Sequence, residues 1–212
     1  MGIDRTALEA EINGCIASQR ALDAQLESVT DVDPSRPSRL PGWTVGHVLT
    51  HLARNADGHR DMLAGRPQYR DVATRDAEIE AGAGRRWPSL VDDVQKSSAL
   101  LADAWLSSLD EITETWSGSA SMLSGTRPMA MLPLLRWREV EVHRVDLDLG
   151  YEAREIDRHY LRRDLRVCEM LWRARRPIGL TPLPPQVLAT APHERLFWFL
   201  GRTEIEGVGR VN

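Results

Sequence analysis

The sequence predicts a mainly α protein: a four-helix bundle over residues 1–150, then a small, shortened α/β region over 151–212. Three observations predict it. Four long stretches carry apolar residues at helical spacing, with polar connections between them. Gly150 follows the fourth stretch as a helix terminator. Beyond it, Pro177, Pro182, Pro184 and Pro185 cut the chain into short pieces.

The first helix is expected from about Asp4 to Val29, with Leu8, Ile12, Cys15, Leu22 and Leu26 on one stripe. A Pro- and Ser-containing loop, 33–42, follows. Thr44 has the chemistry of an N-cap and opens a second helix to about Leu63, closed by Arg66-Pro67. Residues 68–87 read as a long connection with one helical turn at 76–81 and a flexible point at 81–84. Ser89 is the expected cap of a third helix whose Leu90, Val94, Leu101 and Trp105 face inward. Gly118, Ser119, Gly125 and Thr126 mark a loop. Pro128 suits a first helical turn, and the fourth helix is expected from about Met129 to Leu149. Pro133 lies early enough in it to be tolerated or to shift its start. The tail reads as a helix over 157–175, a short strand at 186–189, a short helix over 193–200 and a closing strand.

Composition sets limits on function. The chain has 212 residues, 42% hydrophobic, with a formal net charge of -4, which supports a packed core and gives no basic surface for nucleic acid. No apolar run approaches membrane-spanning length, and the N-terminus has no secretory apolar segment, so the expectation is no membrane. Cys15 and Cys168 are too few for a disulfide framework and read as buried thiols, in keeping with a cytoplasmic location. Trp43, Trp87, Trp105, Trp137, Trp172 and Trp198 read as packing rather than as a stacking platform.

The chemistry concentrates in two segments. In the second helix, Val48 and Leu52 define the core stripe; His51 abuts it, and His47 falls on the same side as a hydrogen-bond partner or a second candidate ligand. In the fourth helix, Glu139 and His143 lie four residues apart beside the stripe of Leu135, Val142, Val145 and Leu149, whereas Glu141 and Arg144 point away. Spacing alone is equally met by a solvated Glu–His pair. An inward Glu139, however, needs a partner. A divalent cation held by His51, Glu139 and His143 satisfies all three and leaves a coordination position open, the pattern of a catalytic metal site. Asp146 can orient His143 or be a plain surface charge. Asn55, one turn beyond His51, can bond a ligand or a neighbouring helix. Arg54, Arg85, Arg86, Arg138 and Arg202 are candidates for binding anions.

Three segments, in order, also carry a resemblance. Residues 40–57 (Leu40-Pro41-Gly42-Trp43-Thr44-Val45-Gly46-His47 onward), 75–85 and 138–147 resemble the mycothiol-dependent maleylpyruvate isomerase family. The resemblance implies a DinB-like metal-binding four-helix bundle with zinc on His51, Glu139 and His143. It implies mycothiol, a low-molecular-weight thiol, as cosubstrate, with Arg54, Asn55 and Arg85 as its candidate contacts. Residues 197–202 look like the family's closing helix, which makes Arg202 the implied catalytic arginine. The tail departs from the family: it is short and proline-rich. The implied activity is cis-trans isomerisation, in which a metal-stabilised thiolate adds to the double bond and leaves after rotation. The alternatives are a mycothiol S-transferase acting on another electrophile, and a non-catalytic bundle that binds a small molecule. Expected partners are the thiol and a small-molecule substrate, with the chain a monomer or homodimer.

Overall fold

The computed structural model describes residues 3–111, 115–175 and 182–211. Pro177, expected to interrupt the tail, lies outside the described residues. The chain is mainly helical, with eight α-helices and one two-stranded sheet among the described residues. It divides into two compact units, Met1–Gly150 and Tyr151–Asn212.

In the first unit, α1 (Arg5–Ser28) starts where the Asp4 carboxylate accepts the Ala7 N–H at 3.1 Å, and it buries Leu8, Ile12, Cys15, Leu22 and Leu26. Helix α2 (Val45–Leu63) opens with a reciprocal cap. The His47 N–H donates to Thr44 Oγ1, and His47 Nδ1 accepts the Thr44 N–H at 3.2 Å. Helix α3 (Val72–Ala83) is longer than the single turn expected at 76–81, and it takes up most of the expected flexible point. Asp71 supplies its start, accepting the Thr74 N–H at 2.7 Å, and Ile79 and Ala83 bury against the neighbouring structure. Gly46 of α2 permits this approach: a Cβ there would stand 2.1 Å from the Ala83 carbonyl oxygen.

Helix α4 (Trp87–Ser108) begins before Ser89, so Ser89 is not its cap. Pro88 occupies the first turn, where a missing N–H costs nothing. The expected loop at 118–126 is a hairpin, β1 (Ser119–Met122) with β2 (Gly125–Pro128), in register Ser119 to Pro128. Its short polar strands carry too little apolar alternation to be read from sequence. A 3-10 turn at Met129–Met131 then precedes α5 (Leu132–Asp146), so Pro133 shifts the helix start by a turn.

Helix α2 packs on α3, α4 and α5, and α1 on α4 and α5. Leu22, Leu49, Leu52, Leu90, Val94 and Val140 are fully buried at the centre. Close packing of α1 on α5 rests on Gly14, because a Cβ there would lie 2.1 Å from the Trp137 ring. That closeness corrects one expectation. Glu141 does not point away; it is 2% exposed and accepts a hydrogen bond from the Ser18 hydroxyl. Helix α5 is enclosed by α1 on one side and α2 on the other, so its buried arc is wider than one apolar stripe.

Arg136 runs through the middle of the bundle and is 1% exposed. Nη1 donates to the Leu52 carbonyl oxygen at 2.8 Å and to Asn55 Oδ1 at 2.9 Å. Nη2 donates to Gln19 Oε1 and Ser98 Oγ, each at 3.1 Å.

In the second unit, α6 (Arg158–Ala174) is capped by Asp157, which accepts the Tyr160 N–H at 2.8 Å. Residues expected as a strand at 186–189 form part of α7 (Pro185–Ala189). Pro184 and Pro185 set helical starting angles there, and Val187 anchors the turn in a core with Trp172, Leu183 and Trp198. Helix α8 (Pro192–Phe199) follows. Instead of a closing strand, there is a single antiparallel bridge, Ile205 to Gly209. No described helix is long and apolar enough to cross a membrane.

Candidate metal centre

The core stripe of α2 turns His51 inward from the middle of that helix, and α5 presents Glu139 and His143 one turn apart. Glu139 Oε2 lies 2.8 Å from His51 Nε2 and 3.1 Å from His143 Nε2. The two imidazole rings meet edge to face, with centroids 4.8 Å apart. One donor atom from each of the three residues falls within 4.8 Å of the others. His51 and His143 are buried, whereas the Glu139 side chain is 29% exposed, so the cluster is closed by protein on most sides and open along the carboxylate.

The groups of the cluster set one another's charge states. Burial drives the His51 pKa down to about 4, against the pull of Glu139. His51 is therefore neutral, with its Nε2–H donating to Glu139. Desolvation opposes charge on Glu139, but hydrogen bonds from His143 and His51 outweigh it and hold the carboxyl well below its usual range. Burial likewise opposes charge on His143, and Asp146 and Glu139 reverse the balance and raise its pKa.

Asp146 is not a surface charge. It is 2% exposed, and its Oδ2 lies 2.9 Å from His143 Nδ1. A carboxylate can only accept, so Nδ1 carries a proton, and Nε2 is the nitrogen turned to Glu139, donating to it in the protonated ring. This is the outer hydrogen bond that metal-binding histidines use to fix their tautomer. Two imidazole nitrogens and one carboxylate oxygen, with the tautomer fixed and one side open, fit a divalent cation of the zinc type.

Sequence reasoning missed the wall of this site. Arg75 in α3 places Nη2 3.5 Å from His51 Nδ1, and its guanidinium lies 5.5 Å from the Trp43 ring centroid. Trp43 also meets the His51 ring edge-on at 5.5 Å. With α3 extended back to its Asp71 cap, Arg75 falls one turn before Ile79 on the inward face, which is the signal that was available. His47, weighed as a second ligand, binds Glu80 through Nε2 at 3.1 Å and Thr44 through Nδ1.

The arginine candidates separate. Arg54 reaches Asp57 at 2.9 Å and Asp93 at 2.6 Å, and Arg85 reaches Asp93 at 2.7 Å. Both line a polar cleft of about 840 Å³ together with Asp57, Tyr69 and Glu78. Asn55 is 2% exposed and takes the neighbouring-helix role, accepting from Arg136. Arg86 is exposed and Arg138 half-buried. Arg202 lies in the second unit after α8, exposed, with its backbone N–H on the Phe197 carbonyl at 2.8 Å.

Fold and cluster together define a class: a helix bundle that converges imidazole and carboxylate donors from two facing helices. Comparison with known proteins makes the assignment specific. Residues 16–148 match the family described as mycothiol maleylpyruvate isomerase N-terminal domain. The chain belongs to this family. Its fold is similar to that of a crystal structure of the mycothiol-dependent maleylpyruvate isomerase, with 24% identity and a TM-score of 0.78. It is also similar to a crystal structure of a histidine-to-alanine mutant of that enzyme, with 22% identity and a TM-score of 0.79. Each match covers 97% of this chain and 95% of the other. No curated protein matches the sequence.

Proposed function

We propose that the chain is a zinc-dependent, mycothiol-using isomerase of the maleylpyruvate type. The observation that carries this reading is the convergence of His51 Nε2, His143 Nε2 and Glu139 Oε2 on one spot with an open side. Family membership supplies the thiol and the substrate class. His51, Glu139 and His143 would hold the metal. When bound, it would lower the pKa of a thiol beside it, so that the thiolate is present at neutral pH.

The protein's own groups define the rest. Asp146 holds the proton on Nδ1 of His143 and keeps Nε2 directed at the site. Arg75, braced on Trp43, puts a guanidinium beside His51, where it would pair with a substrate carboxylate and steady negative charge that develops next to it. Trp43 closes one wall against water. Arg54 and Arg85 would offer donors along the polar cleft to the body of the thiol. The reaction consumes nothing. The thiol sulfur adds to one alkene carbon, the resulting single bond rotates, and the same carbon–sulfur bond breaks to return the thiol with the trans alkene.

The test is turnover of maleylpyruvate by metal-replete protein with and without mycothiol, followed by product analysis. Isomerisation that requires both metal and thiol is the expected result. Turnover without thiol, or an unchanged rate after chelation, would overturn the proposal. Accumulation of a stable thiol adduct with a different electrophile would point to an S-transferase instead.

A further inference from the structure

Where α1 faces α4, the bundle contains a second cavity of about 290 Å³. Its size is near the lower end of small-molecule sites, which start at about 300 Å³. We infer that this cavity is a binding site for a small organic monocarboxylate, independent of the metal centre.

Two observations of different kinds lead there. The first is Arg136, which lines the cavity and is 1% exposed. Every partner of its guanidinium is neutral: a backbone carbonyl, Asn55, Gln19 and Ser98. Among the described residues no carboxylate bonds to it directly; Glu139 and Asp23 act on it only at longer range, and a buried cation without a direct counter-ion is a costly arrangement. The second is Trp105, also lining the cavity and 1% exposed, whose indole N–H is buried with no hydrogen-bond partner. Buried donors are normally satisfied, so an orphan beside a cavity indicates an acceptor to come.

The remaining chemistry selects the ligand. Ser98 Oγ accepts from Arg136, which leaves its own proton to donate. The Trp105 indole N–H and the Ser98 hydroxyl are thus the donors left beside the positive charge of Arg136. Ile16, Leu101 and Ala102 give apolar walls. Asp23 and Asp103 also line the cavity and, with Arg20, leave it without the excess positive charge that a compact polyanion needs, which favours a single carboxylate on an apolar body.

The experiment titrates ¹⁵N-labelled, metal-replete protein with benzoate, with benzyl alcohol and with inorganic phosphate, and follows the Trp105 indole N–H signal, assigned by Trp105→Phe. Benzoate is expected to shift that signal and to bind at least about tenfold more tightly than either comparison compound. Equal binding of benzyl alcohol would reduce the site to an apolar groove, and equal binding of phosphate to unspecific charge. Either result, or a Trp105 signal unmoved by benzoate at about 10 mM, overturns the inference. Two variants locate the ligand. Ala102→Trp fills the cavity and should abolish benzoate binding with metal content intact. His51→Ala should leave benzoate binding unchanged. Binding that survives the first substitution, or disappears with the second, places the anion elsewhere and sinks the proposal.

Discussion

Asp146 Oδ2 stands 2.9 Å from Nδ1 of His143, on the ring edge opposite the one that meets Glu139. The aspartate is nearly inaccessible, so water does not compete for that bond. It acts on the cation site without touching it. Asp146→Asn is expected to weaken zinc binding about tenfold, read by competition with a chromophoric chelator. His51→Ala and Glu139→Gln each remove a donor and should cut affinity by more than about 100-fold. Equal zinc affinity of Asp146→Asn and the parent protein would assign the aspartate a packing role only.

Arg75 lies beside the cluster and supplies none of its donor atoms. Arg75→Ala should therefore leave zinc content unchanged and lower kcat/KM on a carboxylate substrate about 30- to 100-fold, the size expected for a lost charge-assisted pair. Arg75→Lys keeps the charge but not the fork or the stacking on Trp43, so it should recover only part of the loss. Loss of zinc in Arg75→Ala would show that the guanidinium is structural.

His59 is fully buried beside Trp105 at a ring distance of 6.0 Å, and neither of its ring nitrogens has a partner among the described residues. Burial, aided by the nearby Arg136 guanidinium, lowers its pKa to about 3. The native state thus refuses a proton that the unfolded chain accepts below about pH 6.5. The unfolded state binds more protons in that window, so stability is full above it and falls as pH drops from about 6.5 toward 3, by up to about 1.4 kcal/mol per pH unit. His59→Leu should flatten this part of the profile. Urea titrations from pH 7 to 4.5 measure the difference, and parallel profiles would contradict the assignment.

Gly14 sits under Trp137, where a methyl group would enter the indole ring. Gly14→Ala should destabilise the protein by about 1–3 kcal/mol despite the better helix propensity of alanine. The denaturation midpoint decides: a more stable variant would mean that α1 and α5 separate at little cost.

The helices that build the site were legible because their stripes are long. Leu8 to Leu26 and Leu90 to Trp105 repeat over several turns, Val48 with Leu52 marks one turn of the second helix, and their residues are buried as that pattern requires. His51, Glu139 and His143 stood out because ionisable groups beside an apolar stripe need partners. Shorter-range features were lost. The strand expected at 186–189 is a helix because two prolines and the anchoring Val187 outweigh the short apolar run of Val187, Leu188 and Ala189. Helix α3 went unrecognised at its start because Asp71 and Thr74 make a cap from ordinary polar residues. Glu141 and Arg136 were hidden for a different reason. A single stripe assumes one buried face, and α5 is covered on several, so polar side chains there meet partners on other helices.

One consequence of Arg136 concerns how the fold yields. Its guanidinium ties Gln19 on α1, Leu52 and Asn55 on α2, and Ser98 on α4 to a side chain rooted in α5. Four rods clamped at one height cannot rotate about their axes separately, so the rotational phase that aims His51 at Glu139 is set before any cation arrives. The same clamp makes partial fraying at that height expensive. Slow amide exchange around these four positions should accordingly share one opening free energy, the mark of a cooperative unit rather than four loosely associated helices.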